Sequence, residues 1–157
     1  MVEQRVTALI GVTNTEDLGI LDLHHFRRFA LACGDARSVD EADEVPDIAP
    51  LMYLSGVLHW GAGPPEASLR IDGLARRDAP GVENEDVTVM HGGQQLTFHR
   101  AVRSGARVFA HRSVTEVKRR EGRSGGFLAI DTVTRYQQDN GTALIDSIDT
   151  VLVLERR

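Results

Sequence analysis

The sequence has 157 residues, 41% of them hydrophobic, which suits one domain with a buried core, and its formal net charge is −5. Cys33 is the single cysteine, so an internal disulfide and a cysteine-based zinc site are excluded and a reducing, cytoplasmic location is expected. No apolar run reaches the ~20 residues of a membrane span, and no basic stripe carries interleaved aromatics. We therefore expect neither a membrane nor a nucleic acid as a partner.

The first third of the chain predicts one short strand followed by a helix. The apolar run at residues 6–12 predicts the strand, and the polar stretch at residues 13–19 predicts a turn. Asp22 is a candidate N-cap for a helix that contains LHHFRRFALAC, residues 23–33. Gly34 follows in the position where a glycine commonly ends a helix.

The segment APLMYLSGVLHWGAG, residues 49–63, predicts a second helix of a different kind. Pro50 lies near its start and glycines close it. The segment is apolar nearly all round, and a helix without a polar face is buried. In a small domain we expect a sheet to wrap around such a helix.

Four strand candidates follow Val87, after a loop-rich segment at residues 64–86, and glycine-containing turns separate them. They contain QQLTFHR (94–100), RVFAHRSVTEVKRR (107–120), GGFLAIDTVTRYQQ (125–138) and TALIDSIDTVLVLERR (142–157). This pattern predicts a long antiparallel meander. A meander around one buried helix is a hot-dog fold, so we expect an α+β chain forming a single hot-dog domain over residues 1–157.

Four segments carry a family resemblance in chain order. They are FRRFALACGD (26–35), APLMYLSGVLHWG (49–61), HGGQQLTFHRAVRSGARV (91–108) and EGRSGGFLAIDTVTRYQQDNGTAL (121–144). Together they resemble the hot-dog proteins of the MaoC-like dehydratase/hydratase family, in particular its N-terminal, fatty-synthase-like dehydratase branch. The resemblance implies a lyase that adds water to, or removes it from, acyl thioesters of coenzyme A or an acyl carrier protein. It places the acyl group in a tunnel beside the central helix, usually at a subunit interface.

The resemblance also implies an aspartate and a histidine in a pattern like G-D-x-N-P-[LI]-H. Asp35 matches the aspartate, whereas Arg37, Ser38 and Asp40 replace the asparagine, the proline and the histidine. Two aspartates can divide acid and base tasks only if burial or mutual repulsion raises the pKa of one of them. Members of the N-terminal branch often lack the histidine and serve as the substrate-holding half of a paired enzyme.

The candidate catalytic residues are Asp35, Asp40, His59 and His91. Each also has a purely structural interpretation. Asp35 would cap a turn, and Asp40 would be one of several acids on a solvated loop. His59 would be a satisfied core histidine in the buried helix, and His91 would lie in a turn before a strand. None of the six histidines has a metal-ligand spacing such as H-x-x-x-H, so we expect no metal and no other cofactor.

The candidate substrate-binding residues are Leu51, Met52, Trp60, Gln94 and Arg123. Backbone amides near Leu51 and Met52, at the start of the predicted buried helix, could form an oxyanion hole for the thioester. Trp60 lies on the same predicted helix, and Gln94 could bind a carbonyl or an amide. Arg123 lies in a predicted hairpin turn and could meet the phosphates of coenzyme A or the acidic face of a carrier protein.

Three functions remain open at this stage. The first is a MaoC-like dehydratase/hydratase acting on an acyl or polyketide thioester. The second is a non-catalytic hot-dog subunit that binds the acyl chain and needs a partner carrying the Asp/His dyad. The third is a hot-dog thioesterase, against which residues 50–63 contain no acidic side chain to activate water. In each case we expect a homodimer or a heterodimer with another hot-dog subunit, because edge strands invite pairing.

Overall fold

The computed structural model of the protein describes residues 2–34, 47–56, 65–75, 80–123 and 125–155. The helices are α1 (Val2–Thr7), α2 (Leu23–Ala32) and α3 (Tyr53–Gly56), with a 3₁₀ turn at Glu66–Ser68. The strands are β1 (Thr13–Ile20), β2 (Val87–Phe98), β3 (Arg107–Gly122), β4 (Gly125–Gln138) and β5 (Ala143–Glu155). Within these ranges no helix is long and apolar enough to cross a membrane.

The strands form one antiparallel sheet with the order β1-β3-β4-β5-β2. The prediction of four strands after Val87 is confirmed, and β3, β4 and β5 follow one another as a meander. The meander does not include β2, which lies beside β5 at the far edge instead of beside β3. Glycine turns show where strands end but not which strands pair, so the sequence pattern could not predict this crossing.

The prediction of a strand at residues 6–12 and a turn at residues 13–19 is wrong. Val2 and Val6 lie four residues apart on one face of α1, where both are buried. The strand begins later, at Thr13, and pairs with β3. Most residues of β1 are exposed because it is an edge strand, which explains why its sequence is polar.

Helix α2 begins and ends as predicted. The Asp22 carboxylate accepts a hydrogen bond of 2.6 Å from the backbone N–H of His24, which is the geometry of an N-cap. Gly34 follows the helix with a φ of 82°, a left-handed conformation that glycine adopts without strain. Phe26 and Ala30 bury one face of the helix.

The predicted buried helix is described only at its start. Tyr53 and Leu54 of α3 are 3% and 1% exposed, as expected for a buried helix. Leu51 and Met52, just before α3, are 70% and 45% exposed. Residues 57–64, the rest of the predicted helix, lie outside the described residues.

Two apolar clusters cover what we call the inner face of the sheet, within the described part of the chain. The first cluster joins α2, α3 and one end of the sheet, and includes Leu21, Phe26, Tyr53, Leu144 and Ile145. The second cluster joins α1 to the other end, and includes Val6, Val82, Leu128, Ile130 and Val153. Each strand of the meander contributes inward side chains to both clusters, which fixes the register of the sheet.

A buried arginine anchors the segment before β2. The Arg70 side chain is 2% exposed and pairs with the Asp72 carboxylate at 3.0 Å. It also donates hydrogen bonds to the backbone carbonyls of Val82 and Val87. This guanidinium, held beside Asp72, lowers the pKa of the Asp72 carboxyl. The arginine therefore holds a loop-rich segment against the start of β2.

Candidate functional site

A cavity of about 390 Å³ opens on the inner face of the sheet, where the two apolar clusters meet. Its apolar walls include Leu74, Pro80, Val89, Met90 and Val151. Its polar side chains come from five elements: α3 and β3 contribute one each, and β2, β4 and β5 contribute the rest. The volume lies within the ~300–1,000 Å³ that small-molecule sites commonly occupy.

Two rows of polar side chains cross the sheet beneath the cavity. In the first row Gln94 of β2, Asp149 of β5 and Thr132 of β4 lie in register. In the second row the register aligns Ser147 of β5, Thr134 of β4 and Arg112 of β3. We call these six residues the polar strip. Polar groups on a buried face cost free energy unless they are hydrogen-bonded, so the side chains of the polar strip need hydrogen-bond partners.

A β-bulge aims two residues of β2 at the cavity. His91 lies opposite Val151 and Gln94 lies opposite Asp149, with a register shift between them. Residues three apart on a regular strand point to opposite faces. Gly92 is the extra residue, so the alternation reverses and both side chains lie on the inner face. A Cβ on Gly92 would lie 3.1 Å from the Leu152 side chain, which explains the glycine.

The Asp149 carboxylate is held by two donors. The Gln94 side-chain amide donates to Asp149 Oδ1 at 2.8 Å, and the Ser147 hydroxyl donates to Oδ2 at 2.8 Å. The same Gln94 amide also contacts the Ser147 oxygen at 3.3 Å. Ser147 is 1% exposed, so one of the two donors to this carboxylate is a buried residue. The Nε2 atom of His91 lies 3.7 Å from Asp149 Oδ1, while the His91 side chain is 61% exposed.

Arg112 of the second row adds a cation to the cavity, and Tyr136, two residues after Thr134 on β4, adds a phenol. Arg112 donates from Nε to the Thr134 hydroxyl at 3.3 Å. Tyr136 lines the cavity and is 8% exposed. Burial raises the pKa of the Tyr136 phenol; the Arg112 charge opposes this rise and the Asp149 charge adds to it. At neutral pH Tyr136 therefore keeps its proton and can donate a hydrogen bond into the cavity.

The structure brings together two of the residues predicted from sequence, His91 and Gln94. Leu51 and Met52 are exposed ahead of α3, and neither lines the cavity. Arg123 is exposed in the turn between β3 and β4, also away from the cavity lining. Their contacts with a substrate stay predictions.

Four other candidates, Asp35, Asp40, His59 and Trp60, lie outside the described residues. Among the residues that are described, no group of three or more His, Cys, Asp or Glu side chains is placed to hold a metal ion.

Sequence reasoning missed Asp149, Ser147, Arg112 and Tyr136. A signal was present in β5, where the inward positions read Ile145, Ser147, Asp149, Val151 and Val153. Two successive polar residues interrupt an apolar face there. The signal becomes visible only once the register of β5 is known, because Asp146 on the opposite face produces a similar local pattern.

The comparison with protein families identifies the class of the chain. A sequence model of the FAS1-like, dehydratase domain region matches residues 8–147. The chain therefore belongs to this family, in agreement with the resemblance found in its sequence. No curated protein matches the chain significantly.

Solved structures with the same fold come from several proteins. The chain is similar to a chain of the ChsH1–ChsH2 complex from Mycobacterium tuberculosis, with a TM-score of 0.71, 14% identity, and coverage of 99% of this chain and 92% of that one. It is similar to the HadBC complex, a 3R-hydroxyacyl-ACP dehydratase from the same organism, with a TM-score of 0.56, 17% identity, and coverage of 92% and 96%.

A third similar structure is the (R)-hydratase from A. caviae involved in PHA biosynthesis. Its TM-score is 0.55 at 17% identity, with coverage of 90% of this chain and 94% of that chain. Together with the five-stranded antiparallel sheet, these likenesses confirm the hot-dog fold.

Proposed function

We propose that this chain is a dehydratase/hydratase, a lyase acting on acyl or polyketide thioesters of coenzyme A or an acyl carrier protein in the cytoplasm. The observation that carries the proposal is the cavity above the polar strip, in a chain of a dehydratase family. Such an enzyme serves fatty-acid or polyketide metabolism, including secondary metabolism. In this proposal residues 1–157 form a single hot-dog domain.

The walls of the cavity suit the two parts of such a substrate. Val89 and Val151 offer apolar surface to an acyl chain, which gains free energy by leaving water. The polar strip lies beside this surface and offers hydrogen-bond donors and acceptors to the thioester carbonyl and the carbons next to it. A largely apolar pocket with a few convergent polar groups is the usual form of a small-molecule site.

A second hot-dog subunit, identical or different, is part of the proposal. Within the described residues, β1 and β2 are the edges of the sheet and neither has a strand on its outer side. His91 lies on the β2 edge and is exposed. A subunit that pairs along β2 would therefore cover the open side of the cavity. Two of the similar structures are complexes by name, which supports a partner of the same fold.

One observation favours a second candidate function. Asp40 occupies the position where the family pattern has its histidine, so the usual dyad is incomplete at that place. The chain would then hold the acyl group in the same cavity, while a partner subunit carries the Asp/His dyad.

A single assay separates these functions. Purified protein is incubated with a panel of 3-hydroxyacyl and enoyl thioesters of coenzyme A, and both enoyl absorbance and free thiol are recorded. A dehydratase/hydratase changes the enoyl absorbance without releasing thiol. Binding of the thioesters without either change supports the second candidate, and release of thiol identifies a thioesterase and contradicts the proposal. The variants Asp35→Asn and His59→Ala, assayed alongside, test the remaining sequence-predicted candidates.

A further inference from the structure

We infer that His91 is the acid–base catalytic residue of the proposed dehydratase/hydratase and that Asp149 positions it. The inference rests on the proposed function and assigns the chemistry to this chain instead of to a partner. It replaces the residue pair expected from the sequence pattern, since Asp40 stands where that pattern has its histidine.

The placement of the two residues carries the inference. His91 and Asp149 come from neighbouring strands, β2 and β5, and both line the cavity. The separation of 3.7 Å between His91 Nε2 and Asp149 Oδ1 is an ion-pair distance, longer than a hydrogen bond. Such contacts often tighten only when a substrate is bound. Both residues stand on sheet strands, which hold side chains more rigidly than loops do.

The hydrogen bonds that Asp149 accepts indicate that its carboxylate positions His91. Ser147 and Gln94 occupy one oxygen each, which fixes the plane of the carboxylate relative to His91. This network lies between two apolar clusters, where apolar side chains would cost less free energy. Local departures of this kind from an apolar pattern are expected at functional sites.

The exposure of His91 suits a residue that meets substrate. Its side chain is 61% exposed, on the open side of the cavity and beside the apolar wall that Val89 and Val151 provide. With Nε2 turned toward Asp149, Nδ1 is the ring nitrogen left to accept a proton from a bound molecule.

One imidazole can carry out both proton transfers of the dehydration step. His91 Nδ1 takes a proton from C2 of a 3-hydroxyacyl thioester, and the electron pair of the C2–H bond becomes the C2=C3 π bond. The C3–O bond breaks, and its electron pair leaves with the hydroxyl. The imidazolium returns its proton to that hydroxyl, which departs as water. Asp149 stays an anion and stabilises the imidazolium, and hydration follows the same path in reverse.

The test compares this pair with a second His–Asp pair, in which His99 directly follows β2 and Asp146 lies on β5. His99 Nε2 lies 3.1 Å from Asp146 Oδ2, and neither residue lines the cavity. The variants His91→Ala and Asp149→Asn are therefore matched by His99→Ala and Asp146→Asn as controls. All four are assayed with the wild type on the same thioester panel, after thermal melts establish that they are folded; His91→Gln replaces His91→Ala if the latter fails to fold.

The inference predicts that the purified chain turns over without another protein. His91→Ala should lower kcat by about 100-fold or more, in the range that general acid–base catalysis contributes, with KM changed less than about threefold. Added imidazole should restore part of this activity, which a purely structural role of His91 would not allow. Asp149→Asn should lower kcat at unchanged KM, and both controls should stay within about twofold of the wild type.

Three results separate failure of the inference from failure of the function. Turnover that survives His91→Ala overturns the inference and leaves the dehydratase/hydratase intact. Binding of an enoyl thioester without turnover overturns the inference and favours the acyl-binding subunit. Absence of both binding and turnover overturns the proposed function, and the inference with it.

Discussion

Gln94 and Asp149 lie directly opposite each other on β2 and β5, and the Gln94 amide donates a 2.8 Å hydrogen bond to the Asp149 carboxylate. The bulge at Gly92 makes this pairing compatible with a second inward residue, His91, three positions earlier. A cross-strand pair and a bulge together therefore place three polar side chains at one point of the cavity.

The bulge predicts different outcomes for two adjacent glycines. A Cβ on Gly92 would lie 3.1 to 3.2 Å from the side chains of Leu152 and Thr150, whereas a Cβ on Gly93 would meet nothing within 4 Å. Gly92→Ala should lower the free energy of unfolding by about 1 kcal/mol or more, through overpacking. Gly93→Ala should leave it unchanged or raise it slightly, because alanine restricts the unfolded chain. Urea denaturation measures both, and equal effects would contradict the bulge.

The buried Arg70 predicts a large and specific loss of stability. Its guanidinium pairs with Asp72 and donates to the backbone carbonyls of Val82 and Val87, and an alanine variant loses all three interactions. Arg70→Ala should lower the free energy of unfolding by about 3 kcal/mol, as for other buried and hydrogen-bonded charges. Arg103→Ala, which removes an exposed pair with Asp47, should cost less than about 1 kcal/mol. Comparable losses in denaturant titrations would contradict the anchoring role.

The same pair predicts how stability depends on pH. Arg70 holds the pKa of Asp72 below its ordinary value of 3.8, so the unfolded chain binds this proton first as the pH falls. The contribution of Asp72 is therefore fully present above the unfolded pKa and is lost as the pH falls through the folded pKa.

The comparison of the wild type with Asp72→Asn reports this contribution directly. Their difference in unfolding free energy should be largest above about pH 5 and should shrink toward pH 2. A difference that grows as the pH falls would show that the sign is wrong.

The cavity predicts that a phenylalanine introduced on the inner face of β5 affects substrate binding, whereas one introduced on the outer face does not. Val151 lines the cavity, whereas Ile148 lies on the outer face and is 40% exposed. Val151→Phe should fill part of the cavity and raise KM for long-chain enoyl thioesters by about tenfold, since it displaces acyl carbons from apolar surface. Ile148→Phe should leave KM unchanged. Steady-state kinetics over a series of chain lengths would refute the assignment if both variants behaved alike.

The sequence predicted the strands well and their partners less well. Alternating apolar residues and glycine turns located β2 to β5, because these signals are local. The pairing of β2 with β5 is not local, and no residue between β2 and β3 reports it. A short apolar run fits a strand and a helix equally well, so the run at residues 6–12 could not decide between them. Helix α1 instead uses the four-residue spacing of Val2 and Val6.

The candidate site shows the same division. His91 and Gln94 were predicted from their own types and their neighbouring glycines. Asp149 and Ser147 can be recognised as site residues only from the register, which places them opposite Gln94 and Thr134, respectively. A site assembled across four strands is therefore only partly visible along the chain, since its residues meet through pairing and not through spacing.

The most direct test of the account is a crystal structure of the protein with a bound enoyl thioester. We expect the acyl chain against Val89 and Val151, with the thioester end at the polar strip and the C2=C3 bond within reach of His91. An acyl chain bound away from the inner face of the sheet, with the cavity unfilled, would contradict the assignment of this cavity as the substrate site.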